Sequence, residues 1–390
     1  MKRFMKSLLA GALSMSIIAG CAGAPMPPGP APGTSIPDTE PVQEAEAIPE
    51  KNAGQNSRVE SVDIPAPSLA NSIVGEKTEQ RISVYLPPGY DYSDKEYPVV
   101  YFLPGYGART ETFMAEFYRA MDSFLDAEEV NEMLIVVVNG IGVLEGTFYY
   151  NSPVTGNWED FVTKDVIQYV DSHYRTIQSA EARGLAGHSM GGFGVINIAM
   201  RTKDIFSYVY SMSPGLFDDD GLSESLMDFG LVEQFIDRHA EADDETVHAE
   251  YLEYIDRSGW TTTFSFAYAS AFAPDANARA PYVKLPEKDE NGDFMRDGIL
   301  QLYHSGYGGL KEKLNNDTYI DNLLNLKGFV IEYGTDDEFI FIPKGCVYFS
   351  GLLKEHDIPH ELHEFKGPHT SLPRIRTVVI PYFSNTFQVF

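Results

Sequence analysis

The chain has 390 residues, 43% of them hydrophobic and 22% charged, enough apolar content for a full globular core. A folded chain of this length buries roughly 75% of the surface its unfolded form exposes. Its 57 acidic residues against 29 basic ones give a formal net charge of −28, a surface that repels phosphate backbones and excludes nucleic acid as a partner. Cys21 and Cys346 are too few for a disulfide framework, and Cys346 reads as buried packing.

The first segment is a targeting signal. Lys2, Arg3 and Lys6 precede an apolar run from Leu8 to Ala19 that is too short to span a bilayer comfortably. The run ends in Ile18-Ala19-Gly20-Cys21, small residues before a cysteine, which resembles the lipobox of bacterial lipoproteins. Residues 1–20 are therefore expected to be removed, with Cys21 lipidated and the chain anchored outside the cytoplasm. That removal takes away three bases and no acid, moving the formal charge from −28 to −31. Residues 21–57 hold eight of the 24 prolines and little apolar content, as a mobile linker does.

A folded domain is expected over 58–390. Arg81–Leu86 alternates polar and apolar residues like a half-buried strand and is stopped by Pro87-Pro88-Gly89. Pro98–Leu103 and Leu134–Val138 are continuous apolar runs ended by Pro104-Gly105 and Asn139-Gly140, the pattern of parallel strands buried on both faces. Asp160–His173 carries a helical stripe through Val162, Val166, Tyr169, Val170 and His173. Further strands are expected at Gly184–Gly187, Tyr208–Met212, Phe329–Tyr333 and Glu361–Phe365. Alternating strands and helices predict an α/β fold with a mostly parallel central sheet flanked by helices. Residues 216–325 are too long for a simple crossover and are read as an inserted cap, with aromatic-rich sequence at Trp260–Phe272. Within it, Asp289-x-Asn291-x-Asp293 lacks the glycine and the terminal acid of a calcium loop and reads as a hairpin turn at Asn291-Gly292.

The strongest motif is Gly187-His188-Ser189-Met190-Gly191, a G-x-S-x-G between a short strand and a helical run. That context is a nucleophile elbow, in which the serine sits on a strained turn at a helix N-terminus. A serine hydroxyl needs a base, and His369, in the loop after the strand ending at Phe365, follows Ser189 in the order serine, acid, histidine. The acid belongs after the strand at Phe329–Tyr333, where both Asp336 and Asp337 qualify. Backbone N–H groups for an oxyanion are expected from Met190 and from Gly105-Tyr106-Gly107, with Tyr106 the donor. His356, His360 and His363 lack a convincing metal-ligand pattern, so neither metal nor cofactor is expected.

Together these residues resemble the esterase D-like family of α/β-hydrolases. That family includes feruloyl and other carbohydrate esterases, S-formylglutathione hydrolases, enterochelin esterases and mycolyltransferases. The likeness runs from about Ile64 to the C-terminus. It is carried by Val84–Tyr90, Tyr97–Leu103, Tyr149–Ser152, Val170–Arg175, Gly187–Gly194, Gly334-Thr335-Asp336-Asp337 and Gly367-Pro368-His369. The family's G-x-x-D pattern selects Asp337 over Asp336. Where the family often has His-Gly after its second strand, this chain has Pro104-Gly105.

The resemblance implies the α/β-hydrolase fold and a serine carboxylic-ester hydrolase acting through an acyl-enzyme on Ser189. A small-molecule or acylated-carbohydrate ester is the expected substrate. Gly105, His188 and Trp158 are expected to line its site. An acyltransferase of the same family, or a surface lipoprotein that only binds, are the alternatives.

Overall fold

Apolar runs bounded by proline and glycine become the strands of one sheet in the computed structural model, which describes residues 56–387. The expected signal segment, Cys21 and the expected linker as far as residue 55 lie outside the described residues. The strands are β1 Arg58–Pro65, β2 Glu79–Leu86, β3 Val99–Leu103, β4 Leu134–Val138, β5 Arg183–His188, β6 Tyr208–Met212, β7 Gly328–Gly334 and β8 Glu361–Phe365. They lie in the order β1-β2-β4-β3-β5-β6-β7-β8. β1 and β4 pair antiparallel with β2, and every other neighbour is parallel. The expected strands at Leu134–Val138, Tyr208–Met212 and Glu361–Phe365 have these bounds. β1 was not foreseen, because it is an edge strand whose side chains, Ile64 apart, are half-exposed or exposed.

β3 and β4 are buried along their whole length. Alternate residues feed opposite faces: Val99, Tyr101 and Leu103 enter one core, and Val100 and Phe102 the other. On the second face lie α1 (Thr110–Asp126), through Phe113, Met114 and Phe117, and a C-terminal helix over residues 375–386. On the first face lie a helix over residues 158–173 (α2) and α3 (Met190–Arg201). The middle of α2, Phe161–Val166, is wound in wider π turns, which rotates its buried face. His173 consequently sits exposed and stacks on Tyr169 at 3.9 Å instead of extending the apolar stripe.

The segment 216–325 connects β6 to β7 and is mostly helical: α4 Phe229–Arg238, α5 Asp244–Arg257, α6 Trp260–Phe272, α7 Gly298–Ser305, α8 Leu310–Lys313 and α9 Asp317–Leu324. Its acidic character has a local use. Asp228, Asp243 and Asp297, with Asn316, cap α4, α5, α7 and α9 by accepting from free N–H groups of the first turn. Asn291-Gly292 does form a turn, with Gly292 at φ 85° and Lys288 bridged to Phe294. Among the described residues no helix is long and apolar enough to cross a membrane, and no group of three histidine, cysteine or acidic residues is placed to hold a metal ion. α10 (Phe341–Glu355) follows β7 and carries Cys346, a buried free thiol.

The register fixes where chemistry can occur. Leu103 lies opposite Gly187, His188 opposite Met212, and Gly334 opposite Phe365. The loops leaving β3, β5, β6, β7 and β8 therefore meet at one sheet edge, the carboxyl end at which open α/β sheets bind ligands.

Candidate active site

Ser189 sits between β5 and α3 with φ 57° and ψ −116°, a conformation a serine adopts only when its surroundings impose it. Two glycines make the turn possible. A Cβ on Gly191 would lie 1.8 Å from the Leu103 carbonyl oxygen, and one on Gly187 would lie 2.5 Å from the Gly191 oxygen. The strained backbone is fully bonded. Ser189 N–H donates to the Met212 carbonyl at 2.9 Å, and the Ser189 carbonyl accepts from Phe193 and Gly215 N–H at 3.0 and 3.2 Å.

His369 arrives from the loop after β8. Its Nε2 accepts from the Ser189 Oγ hydroxyl at 2.8 Å. Its Nδ1–H donates to Asp337 Oδ2, also at 2.8 Å. The Asp337 carboxyl is wholly buried and the imidazole only 6% exposed. The other Asp337 oxygen accepts from Phe339 N–H at 2.8 Å, which aims the carboxylate. Asp336, the alternative acid, points outward and pairs with Lys366. The β7 and β8 loops are locked to each other: Thr335 N–H donates to Phe365 O at 2.8 Å and Asp336 N–H to Gly367 O at 2.9 Å.

The arrangement can pass the Ser189 proton to His369 Nε2 while the buried Asp337 carboxylate balances the imidazolium that forms. Two N–H groups stand free beside it. The first N–H of a helix has no intrahelical acceptor, and that is Met190 N–H. Tyr106 N–H makes no backbone bond, although Gly107 N–H donates to Glu145 O at 3.1 Å. Gly105 packs against the serine, since a Cβ there would lie 3.2 Å from Ser189 Cβ.

Two expected lining residues have other places. Trp158 is completely buried at the start of α2, its indole N–H donates to Thr155 O at 2.8 Å, and its ring packs on Phe161. It is core and offers no surface to a substrate. His188 is buried beneath His369, and its Nε2–H donates to the His369 carbonyl at 3.0 Å. Burial first, and then the neighbouring His369, push its pKa down to about 3, so it stays neutral and acts as a fixed donor.

Several residues here were not foreseen. Phe339 stands edge-on to the His369 ring at 4.8 Å. Trp260, from the insertion, stacks on Phe339 at 6.1 Å and meets Tyr106 edge-on at 5.9 Å. Tyr106, Trp260 and Phe339 are all half-buried, an aromatic wall beside the histidine. Glu338 accepts from His369 N–H at 3.1 Å. Farther back, fully buried Glu332 accepts from Tyr210 OH at 2.8 Å and from Arg374 Nε at 3.1 Å, bracing the segment after His369.

The sheet order, the crossover helices and a serine on a strained strand-to-helix turn define an α/β-hydrolase. Within that class, residues 75–258 match the model of the family described as "Putative esterase". An esterase of Mycobacterium tuberculosis is 30% identical over 157 residues, covering 39% of this chain and 31% of that protein. An endo-1,4-β-xylanase/feruloyl esterase of Xylanibacter ruminicola is 26% identical over 147 residues, covering 35% of this chain and 20% of that protein. The match thus spans less than a third of either relative's length.

Among solved structures, a ferulic acid esterase superposes with TM-score 0.56 at 18% identity, covering 85% of this chain and 99% of that one. A fluorophosphonate-binding serine hydrolase of Staphylococcus aureus gives 0.53 at 14%, covering 85% and 98%. An S-formylglutathione hydrolase of Agrobacterium tumefaciens gives 0.51 at 16%, covering 86% and 97%. At these identities the likeness shows the fold.

Proposed function

We propose that this protein is a serine carboxylic-ester hydrolase that forms an acyl-enzyme on Ser189. The observation that carries the reading is the hydrogen-bonded relay from Ser189 Oγ through His369 to buried Asp337, both links at 2.8 Å, on a strained elbow. His369 Nε2 takes the serine proton as Oγ attacks the ester carbonyl. Met190 and Tyr106 N–H groups hold the oxyanion, each donor typically contributing roughly 3–4 kcal/mol to the barrier reduction. The histidine then returns its proton to the leaving alcohol and activates water for deacylation.

The substrate is an acylated carbohydrate or another small ester. The aromatic wall of Tyr106, Trp260 and Phe339 gives the acyl group an apolar face, and feruloyl esterases stand among both the relatives and the structural neighbours. The Lys2–Lys6 basic start and the Ile18–Cys21 motif support action outside the cytoplasm, anchored through lipidated Cys21.

Hydrolysis of p-nitrophenyl acetate, butyrate and octanoate by the protein and by Ser189→Ala tests the reading. Loss of the serine is expected to lower kcat on the order of 10⁶-fold. Turnover that survives the substitution would reject Ser189 as the nucleophile. A folded wild-type protein that neither hydrolyses these esters nor reacts with a fluorophosphonate would favour a binding-only role.

A further inference from the structure

Half of residues 139–150, the loop after β4, are buried and only Glu145 is exposed, which is unusual for a connecting segment. Three of its residues, Glu145, Phe148 and Tyr149, hold φ values of 64°, 52° and 48°. Two bulky aromatics in the left-handed region mark a backbone kept there by its surroundings.

Those surroundings are the two segments that carry the free N–H groups of the site. Toward the β3 loop, Tyr149 OH donates to Pro104 O at 3.1 Å and Tyr106 OH donates to Leu144 O at 2.8 Å. Gly107 N–H donates to Glu145 O at 3.1 Å. Gly146 lies flat under the Tyr106 ring, where a Cβ would come within 2.1 Å of it. Toward the start of α3, Phe148 N–H donates to Met190 Sδ at 3.3 Å. The Tyr149 ring is wedged between Gly140 and Gly194, each too close to admit a Cβ. A single loop therefore touches both sides of the site, one turn away from Tyr106 N–H on one side and Met190 N–H on the other.

We propose that the 139–150 loop sets the separation of the two oxyanion donors, with the Tyr149 and Tyr106 hydroxyls as positioning groups that pin it to the β3 loop. This rests on the reading of Ser189 as nucleophile and deepens it. Neither hydroxyl touches the reacting atoms. Tyr149 OH fixes Pro104 O, two residues before the Tyr106 N–H, and the Tyr149 ring fixes the α3 side.

The test is Tyr149→Phe, which keeps the ring and removes only the hydroxyl, assayed on an oxygen ester and on the matching thionoester. Carbonyl oxygen is a strong hydrogen-bond acceptor and thiocarbonyl sulfur a weak one, so a well-set oxyanion site favours the oxygen ester. Loss of one whole donor costs roughly 10²–10³-fold in kcat, so a displaced donor is expected to cost about 10-fold with KM nearly unchanged. The preference for the oxygen ester should shrink by a similar factor. A change that merely lowers the folded fraction reduces both rates equally and leaves the preference intact. Tyr106→Phe, at a half-buried site, is the second variant and should shift the preference in the same direction. An unchanged preference in both variants, with Ser189-dependent turnover present in the wild type, would overturn the loop's role. Absence of Ser189-dependent turnover in the wild type would overturn the nucleophile reading itself, and the loop's role with it.

Discussion

Glu76 offers the sharpest test of the electrostatics, because its stability effect runs opposite to that of an ordinary surface carboxylate. It is 9% exposed, and one oxygen accepts from Val143 N–H at 2.8 Å. Desolvation dominates and raises its pKa from 4.5 to about 7, with the Val143 hydrogen bond pulling the other way. In the unfolded chain the carboxyl ionises near its ordinary value, so between pH 4.5 and 7 the folded state binds more protons than the unfolded state. Stability from this group is thus fully present below about 4.5 and lost as pH rises through about 7. A rise from 4.5 to about 7 corresponds to about 3 kcal/mol at 1.36 kcal/mol per unit. Glu76→Gln keeps an acceptor for Val143 and cannot ionise. Urea unfolding of both proteins at pH 4.5, 6 and 8 should show the variant gaining on the wild type by about 3 kcal/mol across that range. Buried His188, whose pKa is depressed to about 3, imposes an opposite slope below its unfolded value but does so in both proteins, so the difference isolates Glu76. A difference that does not change with pH would mean that the carboxylate is solvated and that the 139–150 loop does not enclose it.

Two further outcomes bear on the acid and its supports. Asp337→Asn should lower kcat by about 10⁴-fold through the wrong histidine tautomer, whereas exposed Asp336→Asn should leave it unchanged; equal effects in pre-steady-state ester assays would reject the assignment. Arg374→Met strands the buried Glu332 carboxylate with Tyr210 as its remaining side-chain donor and should destabilise the fold by about 3–5 kcal/mol, read as a lowered urea midpoint. A midpoint within error of the wild type would show that water reaches Glu332.

The parallel sheet was legible because strands buried on both faces must be written as continuous apolar runs: Leu134–Val138 needed no context to be found. The elbow was legible for a different reason. Gly187, Ser189 and Gly191 satisfy a steric demand so tight that a Cβ at Gly191 would sit on Leu103 O, and few sequences meet it by accident. β1 escaped notice because half-exposed Arg58–Pro65 gains its strand identity from pairing with β2, a tertiary effect. The two tryptophans show the same limit. Trp158 and Trp260 look alike in sequence, yet one starts a core helix and the other is carried by the 216–325 insertion to the histidine's aromatic wall, and only tertiary packing separates the two. Glu332 reads as one more polar residue in a strand until Arg374, 42 positions later, is seen to meet it.

Pro104-Gly105, standing where the resembled family often has His-Gly, has a physical account. Proline brings no side-chain donor and no N–H, so nothing on the residue itself can orient the loop that ends β3. Its carbonyl is instead held by Tyr149 OH, and the next side chain, Tyr106, is enclosed by Gly146, Phe148 and Phe264 and bonded to Leu144 O. Phe264 belongs to α6 of the insertion, and the 139–150 loop supplies the rest. The backbone beside Ser189 is therefore oriented from outside by two segments remote in sequence. A loop positioned in this way should respond to changes in the insertion: truncating Phe264 would loosen Tyr106 from one side while leaving the serine–histidine–aspartate relay bonded as it is.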